Sequence, residues 1–203
     1  VSTQALGQHK NISKVIIDDS KSGGNRYLNL IKLTKEVGFV DIAISFRRSF
    51  SSKFMMFFIS AKQKFSYRRY EKKEIHQVLR YNDFINRSLN IDFEAPDLKL
   101  NFQPFKYEKQ TLGINPGATY GSAKRWYANE FAKVAIELSK QYNIVIFGGP
   151  SETDIAKDIE DELKNANITN YENIAGKTSI PELIEKIAGL SIFITNDSGP
   201  MHV

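Results

Sequence analysis

Apolar residues recur at two different spacings along this chain, and the alternation between them sets out its elements. Tyr27, Leu28, Leu30, Ile31 and Val37 fall at helical spacing, and Gly38 is a natural stop. Residues 40–46 follow as a strand. Residues 50–59 are apolar nearly throughout and predict a short buried helix, with 64–67 extended after it. Ile75, Val78, Leu79, Asn82, Ile85 and Leu89 mark a long helix. Upstream, residues 1–8 read as helix, 14–17 as a branched-residue strand, and Ser22-Gly23-Gly24-Asn25 as a turn. Residues 92–107 hold Pro96 and Pro104 and show no period, as expected of a linker.

The second half alternates more cleanly. A strand at 111–114, a helix at about 128–140 and a strand at 144–147 succeed one another. Ser151, with Asp154 at capping-box spacing, then predicts a helix start, and that helix reaches about residue 164. A helix at 180–188 and a strand at 191–195 follow, and a final helix opens with Pro200 in its first turn. Strands alternating with helices predict an α/β fold with parallel sheets covered on both faces. The linker divides the chain into domains 1–105 and 106–203. The chain opens at Val1 inside a helical pattern and closes at Val203 a few residues into another, which reads as part of a longer protein.

Composition narrows the classes. Of the 203 residues 41% are apolar, enough for real cores. The net charge of +5 suggests an acidic partner: phosphate, nucleic acid or anionic lipid. With no cysteine, disulfides and cysteine-ligated metals are excluded, and a cytosolic setting fits. No apolar run approaches the roughly 18 residues of a membrane span.

Three loops of the second half, 115–125, 148–151 and 196–199, each follow a strand. Ligands of open parallel sheets bind at the carboxyl ends of strands, so these loops should converge. The first carries Thr119, Ser122 and Lys124 among small residues. Either it is an ordinary strand-to-helix turn with a lysine in it, or its amides, hydroxyls and ammonium hold phosphates. Its spacing is not that of a P-loop. Asp197 and Ser198 either cap the helix that begins Gly199-Pro200-Met201 or help it cradle a diphosphate. Glu152 either caps its own helix or accepts the hydroxyls of a ribose.

Pro116-Gly117-Ala118, Gly121-Ser122-Ala123-Lys124-Arg125-Trp126, Phe147-Gly148-Gly149, Ala175-Gly176-Lys177-Thr178 and Thr195-Asn196-Asp197-Ser198-Gly199-Pro200-Met201-His202 occur in that order. Together they resemble the ADP-heptose:lipopolysaccharide heptosyltransferases of glycosyltransferase family 9, most of all the heptosyltransferase II group. The resemblance is dense from about residue 111 and thinner before it, where 47–53 and 77–84 look like the family's N-terminal half. It implies a GT-B fold of two Rossmann-like domains, both incomplete in this chain. It also implies inverting, metal-independent transfer of heptose from ADP-heptose to the inner-core heptose of lipopolysaccharide, without a cofactor. By the same resemblance Thr119, Ser122 and Lys124 line the donor phosphates, Glu152 holds the ribose, and Asp197, Ser198, Gly199 and Met201 form the phosphate-binding turn. His202 belongs to the motif as either a packing or a contact residue. The family's general base is an aspartate in a Gly-Asp loop; this sequence has no Gly-Asp pair. The resemblance would put it before Val1, and transfer by the 203 residues alone is not expected.

Arg47, Arg48, Arg68 and Arg69 belong to a basic run between 47 and 73 that is interleaved with Phe65, Tyr67 and Tyr70. A nucleic-acid binder has this look, and so has a solvated face without a ligand. The resemblance offers the lipopolysaccharide acceptor, displayed on the anionic inner membrane from the cytoplasmic side, and leaves no role for nucleic acid. A Rossmann dehydrogenase is disfavoured, because no Gly-x-Gly-x-x-Gly opens a strand–helix unit. A related GT-B enzyme with another nucleotide-sugar is the remaining rival.

Overall fold

The structure is a computed structural model and describes residues 2–7, 9–117 and 125–202. The chain divides into two compact units, one of residues 14–99, the other of residues 1–13 with 100–203. Among the described residues no helix is long and apolar enough to cross a membrane.

The larger unit is built on a four-stranded parallel sheet. Its strands are β3 (Thr111–Asn115), β4 (Asn143–Ile146), β5 (Tyr171–Asn173) and β6 (Ile192–Thr195), in the order β5-β4-β3-β6. Counted within the unit this order is 3-2-1-4, the first half of a doubly wound sheet, and its direction reverses between β3 and β6. Side chains alternate across the sheet, as the two-residue repeat of a strand requires. Leu112, Ile114, Ile144 and Ile146 face one side and meet Phe131, Ala132 and Ala135 of α5 (Ala128–Leu138) and Ala156, Ile159 and Leu163 of α6 (Thr153–Asn165). Val145, Phe147 and Ile174 face the other and meet Leu183 and Ile187 of α7 (Ile180–Ala188). Helix α1 (Ser2–Leu6) also packs against α7. Phe105 donates its N–H to Glu185 O at 2.8 Å, which seats the incoming segment on α7.

The smaller unit pairs β1 (Phe39–Ser45) and β2 (Ser60–Ser66) in parallel, with α2 (Arg26–Val37), α3 (Phe50–Phe58) and α4 (Gln77–Leu89) around them. Gly38 ends α2 at φ 74°, a left-handed conformation that favours glycine. Phe84 and Leu30 are its most buried large side chains.

Several expectations need correction. Residues 14–17 form no strand; among the described residues no strand pairs with them, and Ile17 is 67% exposed. Helix α3 exists but is not buried, since Phe50 and Phe57 are 70% and 78% exposed and only Met56 is enclosed. The start of α6 is organised by Gly149 rather than Ser151. Gly149 donates its N–H to Glu152 Oε2 at 2.7 Å across a 3-10 turn, Pro150–Glu152, and α6 begins at Thr153. Strand β5 is an addition: Tyr171–Asn173 has no apolar alternation, and pairing with β4 alone makes it extended. At the last motif Met201 N–H bonds Ser198 O at 3.1 Å, and Gly199–His202 is a 3-10 turn.

One side chain joins α6 to β5. Glu160 accepts from Lys164 Nζ at 2.8 Å and from Asn173 Nδ2 at 2.8 Å. These partners, Lys164 first, hold its carboxyl below the ordinary value of 4.5. A depressed folded value contributes stability above 4.5 that is lost as pH falls through it. Glu160→Gln is therefore expected to cost about 1 kcal/mol near neutral pH. The deficit against wild type should shrink as pH drops below 4.5, read from urea midpoints across that range.

Candidate donor site

Backbone direction puts the carboxyl ends of β3, β4 and β6 side by side, and a polar network joins them where the sheet order reverses. Asn115 ends β3 and is 2% exposed. Its Nδ2 lies 3.2 Å from Thr195 Oγ1 and 3.2 Å from Ser198 Oγ. Asn196, the residue after β6, is also buried. Its Nδ2 donates to Pro116 O at 2.8 Å, and its Oδ1 accepts the Trp126 N–H at 3.0 Å. The loops after β3 and β6 are thus tied directly. The loop after β4 joins them through Glu152, whose carboxylate rests against Gly117.

Glu152 does cap its own helix, through Gly149 N–H. Glu152 also lines a cleft of about 420 Å³ with Trp126, Tyr127, Ser151, Asp154 and Asp158. Ser198 sits in the Asn115 network. Among the described residues nothing lies within 4 Å of where a side chain would begin at Gly199. Met201 is half exposed, and His202 Nε2 stands 3.8 Å from Asp197 Oδ1 on the surface. Thr119, Ser122 and Lys124 lie outside the described residues; Pro116, Gly117, Arg125 and Trp126, which bracket them, lie inside.

The arginines of the smaller unit gather at one end of its sheet. Arg47 and Arg48 follow β1, Arg68 and Arg69 follow β2, and the parallel register pairs Ser45 with Ser66 just before them. Arg69 donates to the carbonyls of Glu71, Lys72 and Lys73 at 2.9, 3.0 and 3.1 Å, so it shapes its own loop. Arg68 and Arg87 both lie over the Tyr70 ring, at 5.5 and 5.1 Å. Tyr67 packs edge-on against Tyr81 and Phe84.

In the sequence Asn196 falls inside a motif and Asn115 at the head of the loop 115–125, with no role assigned to either. Each is an amide directly after an apolar run, 111–114 and 192–195.

Doubly wound order, with polar loops meeting at the reversal of strand order, defines a Rossmann-like class of α/β protein, whose ligands bind at that reversal. The sequence pattern of glycosyltransferase family 9 (heptosyltransferase) matches residues 30–203, and the chain belongs to this family. The motif order resembled the same family. Lipooligosaccharide heptosyltransferase 2 of Campylobacter jejuni serotype O:6 is 42% identical over 211 residues, covering 100% of this chain and 65% of its own length. That of Haemophilus influenzae is 36% identical over 107 residues, 48% of this chain. The chain thus spans about two-thirds of the Campylobacter relative, 65%. A family 9 glycosyltransferase structure from Veillonella parvula superposes with a TM-score of 0.81 at 22% identity, over 98% of this chain and 65% of that one. The E. coli ADP-heptose lipopolysaccharide heptosyltransferase II structure gives 0.72 at 22% identity, over 97% and 67%. The fold is the GT-B type that the resemblance implied.

A methyl group at position 117 would run into the Glu152 carboxylate. Gly117→Ala should therefore push Glu152 away from Gly149 and lower stability by about 1–3 kcal/mol. Chemical denaturation measures the loss. A parallel shift of the Gly149 amide resonance would report the broken cap, and an unmoved resonance would mean that the carboxylate does not sit there.

Proposed function

We propose that the protein is a glycosyltransferase that moves heptose from ADP-heptose to the inner-core heptose of lipopolysaccharide, with inversion at the transferred carbon. The observation that carries the reading is the meeting of the Pro116-Gly117, Gly149–Glu152 and Asn196–Ser198 loops at the reversal of strand order. The names of the relatives support the heptose donor and the lipopolysaccharide acceptor.

In this reading the diphosphate lies along the turn Asp197, Ser198, Gly199 and Met201. Thr119 and Ser122 donate hydroxyls to it, and Glu152 accepts the ribose hydroxyls. As the glycosidic bond breaks, the bonding pair passes to the diphosphate oxygen, and the ammonium of Lys124 and backbone amides hold the growing charge. On the family pattern that task falls to these groups, without a metal or other cofactor. The attacking acceptor hydroxyl gives its proton to a base, which we assign to none of these 203 residues.

Arg47, Arg48, Arg68 and Arg69 face the anionic acceptor, and through it the inner membrane, from the cytoplasmic side. Tyr67 and Tyr70 are engaged within the fold, which favours this reading over stacked nucleic-acid bases.

A lysine about 4 Å from a phosphate oxygen gains roughly 4 kcal/mol at an effective dielectric near 20. Only the part that grows in the transition state speeds chemistry. Lys124→Ala in the full-length enzyme is expected to lower kcat about 100-fold, with a smaller loss of donor affinity. Lys124→Arg should rescue in part, because a planar fork replaces a compact ammonium poorly. Steady-state transfer from ADP-heptose, beside a thermal melt of each variant, is the test. A kcat near wild type with a lowered melting temperature would reduce Lys124 to a loop-steadying residue. No transfer by the wild-type full-length enzyme would overturn the reading.

A further inference from the structure

A single nitrogen atom decides which way the Ser198 hydroxyl can point. Asn115, at the tip of β3, is 2% exposed, and its Nδ2 stands 3.2 Å from both Thr195 Oγ1 and Ser198 Oγ. A hydroxyl has one proton to give and lone pairs to receive with, and it rotates to suit its neighbours. Thr195 gives its proton to Asn196 O at 3.0 Å, so towards Asn115 it can only accept. The amide atom facing it is therefore the nitrogen. That same atom faces Ser198, which must accept as well.

The two hydroxyls differ in what is left to them. Thr195 is spent inside the fold, as acceptor and as donor. Ser198 has taken an N–H, and its own proton is turned away from the amide toward a second acceptor. The backbone that carries it is held too, with Met201 N–H on Ser198 O at 3.1 Å and Asn196 N–H pointing to Asn115 O at 3.5 Å. A hydroxyl fixed as a donor favours an anionic group that can only accept, such as a phosphate oxygen, over a group that brings its own proton.

We propose that Asn115 is a positioning residue of the donor site: its buried amide fixes the Ser198 hydroxyl as a proton donor to the diphosphate. Asn115 touches no substrate and acts through Ser198. The proposal rests on the reading that lays the diphosphate along Asp197, Ser198, Gly199 and Met201.

A double-mutant cycle of Asn115→Ala and Ser198→Ala provides the test, beside a control, Thr111→Val. Thr111 is buried at the opposite end of β3, with its hydroxyl bonded to Lys109 O at 2.9 Å. ADP affinity is measured by calorimetry, and each variant is melted to establish that it is folded. Asn115→Ala and Ser198→Ala should each weaken ADP by about tenfold. The double variant should also lose only about tenfold, because residues acting through one contact do not add. Thr111→Val should lower the melting temperature and leave ADP affinity alone. A double variant weakened by about a hundredfold, the product of independent losses, would overturn the proposal. So would wild-type affinity in either single variant. Asn115→Cys, small and at home in a core, replaces the alanine variant in the cycle should that one not fold. Failure of wild type to bind ADP would overturn the donor reading itself, whereas ADP binding with additive losses would overturn the role of Asn115 alone.

Discussion

The larger unit depends on one constraint: β3 must be apolar along its body and polar at its tip. Leu112 and Ile114 are fully enclosed between sheet and helices, which fixes the strand's register. Asn115, next in the chain, is buried almost as deeply. A buried amide is tolerated only when its hydrogen bonds are made. The hydroxyls of Thr195 and Ser198 meet it, and this draws the end of β6 onto the end of β3. Asn196 then repeats the arrangement toward the loop after β3. The apolar core decides that the strands lie side by side, and the two asparagines decide where their loops go.

Glycine supports the same arrangement from below and above. At Gly113, in the middle of β3, a side chain would collide with Leu190, and would approach Phe147 and Phe193 to 2.9 Å, so the strand can lie against α7's face of the sheet only without one. At Gly117 the vacant side-chain position is filled by the Glu152 carboxylate. Close approach of three loops is therefore a property of which residues are small as much as of which are polar.

What was legible in the sequence follows from these forces. The helix at 180–188 lies where the sequence places it, and in the structure Pro181 in its first turn and the reciprocal Ser179–Glu182 cap fix its start. The strands 111–114 and 144–147 were legible because β-branched residues dominate buried parallel strands. Short apolar runs misled: residues 14–17 carry strand residues without a strand to pair with, and the phenylalanines of α3 report hydrophobicity rather than enclosure. β5 was invisible, because three residues with one apolar side chain have no period. At the site, convergence followed from topology alone. The roles of Asn115 and Asn196 did not, since an asparagine after a strand also reads as the start of a turn, and only the partners across the sheet tell the two apart.

Amide hydrogen exchange of the 203-residue chain with and without ADP tests the central claim most directly. The account predicts slowed exchange in three separated stretches, 115–126, 147–153 and 196–202, with residues 14–99 unchanged. Slowing confined to 14–99, or to only one of the three stretches, would contradict a donor site assembled where β3, β4 and β6 end.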